Sequence, residues 1–339
     1  MTKKQLQYGI LFFTLLIDML AFGIVVPVLP RYAEHLGATS LEIGLLVGVF
    51  SLAQSITFPF WGHLSDYIGR KPVLLISVCS TVCGYLLMGA THSIFIMTIA
   101  RIIDGAAGGN ISVIQASISD ITKPEERSWA FGFLGAAYGV SCIFGPSVGG
   151  WASNHYGFSA PMFIAAGLAV VNMLLIMISF PESRKQKGER ISKRPSLFTL
   201  LEHLDRKVYI PVFVTFFFFI ISFAIMTTLL ALFVYHRYNM NEQQTGYIYA
   251  MIGLISIIIE GGLFGFLTKY FSCRLLVITG TTLMGCTLFL FPWTHNIGGI
   301  IGVCAMMALG DSFLSPALPS IISCSVENEW QGAAFGVFQ

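Results

Sequence analysis

The chain has 339 residues, 55% of them hydrophobic and only 11% charged, with a formal net charge of +2. A soluble domain carries about 25% charged residues, so this balance excludes an ordinary soluble domain and points to a membrane protein. Seven cysteines, an odd number, lie in or beside apolar runs without metal-ligand spacing, which supports neither a disulfide framework nor a zinc site. No phosphate loop and no nucleophile triad appears, and an enzyme is not expected.

Hydrophobic runs of spanning length predict helices over 8–30, 42–63, 72–90, 94–120, 128–152, 160–181, 208–236, 244–269, 273–293 and 297–324, and an eleventh starting near Trp330. In a bilayer each span must satisfy its own backbone hydrogen bonds, and runs this long are not the ~10-residue alternating strands of a barrel. The first run, Tyr8 to about Leu29, is too long for the apolar part of a signal peptide and fits a spanning helix.

All but three of the 19 Lys and Arg fall on one side of these spans, and the largest group lies between Arg184 and Lys207. Arg31 and Arg237 fall on the other side, and Arg101 lies within a span. The asymmetry places the N-terminus and the long middle loop in the cytoplasm, and topology explains the basic loop better than nucleic acid does. The expected organisation is an N-terminal bundle over 1–181, a basic linker over 182–207 and a C-terminal bundle over 208–339. Two internal matches support the division. Gly62–Lys71 is echoed in degraded form at Gly265–Arg274, with Lys269 in the place of Asp66, and Ala130-Phe131-Gly132 recurs as Ala334-Phe335-Gly336. Repeated halves are a common transporter plan.

Charged and polar residues inside spans are the candidates for function, because each costs several kcal/mol in lipid unless it faces a cavity or a partner. Asp18 lies about ten residues into the first span, a position that suits reversible protonation; the alternative is a packing hydrogen bond. Gln54 in the second span either lines the same cavity or bonds a neighbouring helix. In the fourth span Arg101, Asp104, Gly105, Gly108, Ser112, Gln115 and Ser119 recur at steps of three and four, and Arg101 and Asp104 can pair one turn apart. Glu260 and Asp311 are the acids of the eighth and tenth spans, each able to bind a cationic substrate or a proton, or to anchor an interhelical hydrogen bond. Gly135, Gly139, Cys142, Gly145, Pro146 and Gly149 form a stripe of small residues in the fifth span, which lets another helix approach closely.

Between the second and third spans lies a short polar island, Gly62-His63-Leu64-Ser65-Asp66-Tyr67-Ile68-Gly69-Arg70-Lys71. It is expected to be a connection of about ten residues whose glycines allow a sharp reversal with positive φ. Its pattern, G-x-L-x-D-x-x-G-R-K, resembles the signature loop of the major facilitator superfamily. Ile17-Asp18 through Pro27-Val-Leu-Pro30 resembles the first-helix motif of twelve-helix drug–proton antiporters, notably tetracycline efflux proteins. Arg101-Ile-Ile-Asp104-Gly105-Ala-Ala-Gly108-Gly109 is similar to the family's fourth-helix motif. Gly139-Val-Ser-Cys-Ile-Phe-Gly145-Pro146-Ser-Val-Gly149-Gly150 resembles the antiporter motif found in exporters and usually missing from symporters.

The resemblance implies an all-α polytopic fold of two six-helix bundles rocking about a midplane cavity, with the second bundle incomplete in this chain. It implies proton-driven export of a drug or small lipophilic compound. Asp18 would carry the proton or meet the substrate, Arg101 would tune it, and Gly62, Asp66, Gly69, Arg70 and Lys71 would form a cytoplasmic gate latch. Expected partners are a small-molecule substrate, protons and the lipid bilayer, with no cofactor, metal or nucleic acid. The protein is expected to be a monomer in a bacterial inner membrane. Two other readings stay open: an uptake symporter on the same fold, and a membrane protein without transport activity, such as a sensor or an inert fragment. Because the chain stops soon after Trp330, a fragment that is unstable or inactive by itself is the expectation.

Overall fold

The computed structural model describes the backbone of residues 3–108, 110–121, 127–180 and 206–324; residues 182–205 of the basic linker and the expected helix near Trp330 lie outside the described residues, and Arg206 and Lys207 already belong to a helix. All regular structure among the described residues is helical. The elements are α1 (Lys3–Val25), α2 (Leu29–His35), α3 (Ser40–Ile68), α4 (Arg70–Ala90), α5 (Ile94–Ala107), α6 (Asn110–Ile121), α7 (Arg127–Tyr156), α8 (Ser159–Ser179), α9 (Arg206–Tyr238), α10 (Glu242–Ile258), a π-helical turn (Ile259–Leu263), α11 (Phe264–Tyr270), α12 (Cys273–Leu290), a short 3-10 turn (Phe291–Trp293) and α13 (Ile297–Cys324). Among the described residues, seven helical stretches are long and apolar enough to cross a membrane. Large apolar side chains such as Leu52, Ile56, Phe60, Ile178, Phe217, Phe218 and Phe289 point outward and are exposed. That arrangement suits lipid contact, since lipid tails are as apolar as the side chains they meet.

Local sequence explains the breaks. The first span is interrupted at Val26–Val28, where Pro27 has no N–H to donate, and resumes as α2. Thr39 starts α3 with a capping box: its hydroxyl accepts from the Glu42 N–H, and the Glu42 carboxylate accepts from the Thr39 N–H at 2.8 Å. The polar island departs from the expected ten-residue connection. Helix α3 runs on through Ile68, and the reversal is made by Gly69 alone, at φ 107°. Residues 63–68 stay helical, and of the two glycines only Gly69 takes a positive φ. The predicted fourth span also departs from a continuous helix. The helix α5 ends at Ala107, with Gly108 as its cap, and α6 is described from Asn110.

The chain forms two compact units, Met1–Glu189 with Thr228–Ala250, and Arg190–Thr227 with Met251–Gln339. In the first, α1 packs against α7 and α8, α4 against α8 and α5, and α3 against α5. Its core draws on Leu11, Leu46, Leu74, Met88, Met97, Ile114, Met162 and Ile176, all essentially inaccessible. Asn172 of α8 donates to the Thr14 carbonyl of α1 at 3.1 Å. In the second unit α12 and α13 pack closely, with Gly280 against the Gly310 carbonyl and Leu314.

Candidate transport site

The interior of the first unit gathers polar side chains from four helices. Asp18 sits part-buried on α1 and accepts a hydrogen bond from the Asn110 amide nitrogen at 3.1 Å. Asn110 is 2% exposed and is the first residue of α6. Asp104 lies within electrostatic range of Asp18. Arg101 pairs with Asp104 at 3.0 Å, and both are nearly inaccessible. The Arg101 guanidinium carbon also stacks 3.9 Å from the Phe50 ring centre, and its Nε reaches the Leu46 carbonyl at 3.5 Å. A cation that is hydrogen-bonded, ion-paired and held over a ring recovers much of what it loses on leaving water. Phe50 in turn meets Phe22 of α1 at 5.7 Å. Tyr85 of α4, 2% exposed, lies within electrostatic range of Asp18, Asp104 and Arg101.

Close helix approach makes this possible. A side chain at Gly105 would collide with the Phe50 backbone, so α5 can lie directly on α3 there. Gln54 does not bond Asp18. Its side chain lies over Gly108, where even one added carbon would come within 2.5 Å of its amide nitrogen.

At the end of α3, Arg70 is buried and donates to the Ser65 hydroxyl at 2.5 Å, and Lys71 donates to the Met177 carbonyl of α8 at 2.8 Å. The Trp61 indole donates to the Ala106 carbonyl at 2.5 Å, tying α3 to the end of α5. The side chain of Asp66 lies outside the described residues, as do those of Ser112, Gln115 and Ser119 and the whole of Gly109.

The small-residue string of α7 works on two faces. Gly145 and Gly149 sit against Gly23 and Ile24 of α1, and a Cβ at Gly145 would lie 2.8 Å from the Gly23 backbone. Gly150 sits against Glu242 and Gln243 of α10, and a Cβ at Gly246 would meet the Pro146 carbonyl at 2.6 Å. Gly139 is part-buried further up the same helix. Replacing any of the crossing glycines forces backbones apart, which is how a motif of small residues fixes helix spacing in lipid.

Near the other end of the first unit, Arg31 of α2 pairs with Glu34, approaches the Glu242 carboxylate at 3.6 Å, and lies over the Tyr235 ring with 3.1 Å to its centre. Glu34 also meets His236. This cluster joins the end of the first span to the end of α9 and the start of α10.

In the second unit Glu260 falls on the π-helical turn and is exposed, while Asp311 of α13 is part-buried. The two lie within electrostatic range of each other. A π turn widens the helix by one residue per turn and recurs at functional sites.

The family model of the Major Facilitator Superfamily matches residues 11–339. The chain belongs to the major facilitator superfamily. As a member it is a multi-pass membrane transporter of small molecules and not an enzyme. It is 31% identical to a class E tetracycline resistance protein of Escherichia coli, over 95% of this chain and 80% of that one. It is 28% identical to the class B protein of the same organism, over 95% and 81%, and 25% identical to the quinolone resistance protein NorA of Staphylococcus aureus, over 98% and 84%. In fold it resembles a crystal structure of a peptide transporter, with a TM-score of 0.81 at 13% identity over 98% of this chain and 85% of that one. It also resembles the human organic anion transporter MFSD10, with a TM-score of 0.70 at 20% identity over 100% and 90%.

Sequence reasoning singled out Asp18, Arg101 and Asp104 in this major facilitator chain but missed Asn110, Tyr85 and Phe50. Asn110 stands directly after a glycine pair, and a polar residue following a helix breaker inside a span was the available signal. Tyr85 and Phe50 offered none, because an aromatic residue in an apolar run is ordinarily packing.

Proposed function

We propose that this protein is a proton-coupled antiporter that exports a drug or small lipophilic compound by alternating access. The observation that carries the reading is Asp18, a carboxylate inside the first span whose hydrogen-bond partner is a neutral amide and not a cation. Such a group can exist with or without its proton without leaving a buried counter-charge behind. The names of the tetracycline and quinolone resistance relatives support a drug as cargo, and the string Gly139–Gly150 supports export over uptake. In this reading Asp18 takes the proton, and Asp104 with Arg101 sets the field around it. Gln54 shapes the neighbouring helix contact. Glu260 and Asp311 hold cationic groups or a second proton. Asp66 with Arg70 and Lys71 latches the cytoplasmic end, and Gly69 makes its turn. The protein works as a monomer in a bacterial inner membrane with a cytoplasmic N-terminus, an orientation that rests on the distribution of Lys and Arg.

The test is drug flux in membrane vesicles, with and without a protonophore, for the wild type and Asp18→Asn. Export in the wild type should stop when the gradient collapses, and Asp18→Asn should export nothing above background. Flux that survives either treatment removes Asp18 and proton coupling from the reading.

A further inference from the structure

Asn110 carries more information than a packing hydrogen bond requires. Its amide nitrogen is engaged by Asp18, yet its amide oxygen is buried and has no hydrogen-bond partner. A buried acceptor left unmatched costs about 1–3 kcal/mol, so some other state of the site is expected to use it. The amide is one of the few side chains that can both donate and accept. An ionised carboxylate can only accept, and a protonated one also carries an O–H donor.

We propose that Asn110 reads the protonation state of Asp18. While Asp18 is ionised, the Asn110 amide nitrogen donates to it. When Asp18 takes a proton, the amide turns over, its oxygen accepts the acid O–H, and the previously unmatched acceptor is satisfied. The step moves one proton onto Asp18 and exchanges the amide N–H bond for an acid O–H bond, while the amide N–H groups turn to the position the oxygen leaves; no bond to carbon changes. The other ionisable groups facing Asp18 are Asp104 of α5 and Tyr85 of α4, and Arg101 reaches this region through its pair with Asp104. Asp104 is already engaged by Arg101 at 3.0 Å, and Asn110 is the group hydrogen-bonded to Asp18, which places it to respond. Its location gives the response a consequence. Asn110 opens α6, while α5 ends at Ala107, so the two are separate helices and a turned amide can shift the start of α6 relative to α5. Asn110 is thus a positioning residue, and the inference rests on Asp18 being the proton site proposed above.

The experiment is infrared difference spectroscopy on the protein in liposomes, from neutral to acidic pH, with asparagine labelled with carbon-13 at the side-chain carbonyl. The protonated Asp18 band is identified by its loss in Asp18→Asn. Acidification should shift a label-sensitive amide carbonyl band, and that shift should be missing from both Asp18→Asn and Asn110→Leu. Proton-driven export should fall about tenfold in Asn110→Leu, the size of one hydrogen bond, with drug binding kept. Asn110→Gln, which retains an amide, should recover part of it and serves where the leucine variant folds poorly. An Asp18 band that appears on acidification without any label-sensitive shift overturns the inference and leaves the proton site intact. If no Asp18 band appears at any pH, the proton site itself is misassigned and the inference falls with it.

Discussion

The two units treat the acids of their spans differently. In the first, two carboxylates, Asp18 and Asp104, share their surroundings with Arg101, and each has a named hydrogen-bond donor. In the second, Glu260 and Asp311 lie within electrostatic range of each other, and no ion pair to either is found among the described residues. With every group ionised, the first cluster has a net charge of about one unit and the second about two, on ordinary side-chain charges. A low-dielectric site tolerates one such charge with difficulty and two adjacent like charges poorly. On the proposed function, the first unit holds a proton that comes and goes, and the second a positive group while both acids are ionised.

The largest effect is expected where the arginine is removed. Arg101→Leu leaves Asp104 buried without its cation, and breaking a buried pair costs about 3–5 kcal/mol. Folded yield in detergent, measured by fluorescence-detected size exclusion, should drop sharply. The double variant Arg101→Leu/Asp104→Leu removes both charges and should recover most of the folded protein. A double variant no better than the single one would mean that Arg101 is held for its contacts with Phe50 and Leu46, and the contrast between the units would then lose its electrostatic basis.

A smaller effect of opposite sign is expected in the second unit. Glu260→Gln or Asp311→Asn takes away one of two like charges, so each single variant should be as stable as the wild type or more stable, by on the order of 1 kcal/mol. Export of a cationic compound should fall about tenfold, the value of a lost charged contact, while a neutral compound of similar shape is less affected. Thermal unfolding and paired flux assays read the two outcomes. Destabilisation in both variants would indicate that the acids are joined through a shared proton, and would sharpen the comparison by making the second unit a proton site as well.

Much of this was legible in the residues, and the division follows sequence distance. Arg101 and Asp104 stand three apart, so helical geometry alone brings them together. The run of spans, the stripe of glycines in α7 and the acid in the first span are likewise local patterns. Partners far apart in the chain were not legible: Asn110 for Asp18, Phe50 for Arg101, and Glu242, Tyr235 and His236 for the end of the first span. Local chemistry also misled where two rules competed. The polar island looked like a loop because its residues are charged, yet leaving the membrane does not end a helix, and only Gly69 does. The capping box at Thr39 and Glu42 was readable and shows why α3 begins at Ser40, ahead of the apolar run that defined its predicted start.

The smallest effect is expected at Arg31, which offers a control for Arg101 within the same unit. Both arginines pair with an acid three residues along their own helix and both lie over an aromatic ring. They differ in burial: the Arg31 side chain is 12% exposed against 3% for Arg101, and its partner Glu34 is 27% exposed against 5% for Asp104. Water and ions near Arg31 weaken its pairs, and exposed ion pairs contribute about 0–1 kcal/mol. Arg31→Gln should therefore lower the thermal midpoint only slightly, by about 1 kcal/mol in stability with the ring contact included. Because the Debye length shrinks from about 10 Å at 0.1 M salt to about 3 Å at 1 M, most of that difference should vanish at high salt. The deficit of Arg101→Leu should persist under the same salt, since ions do not reach a closed interior. Thermal unfolding of both variants at two salt concentrations makes the comparison. Equal salt sensitivity would show that Arg101 is reached by solvent ions, and the case for a closed pair with Asp104 would weaken accordingly.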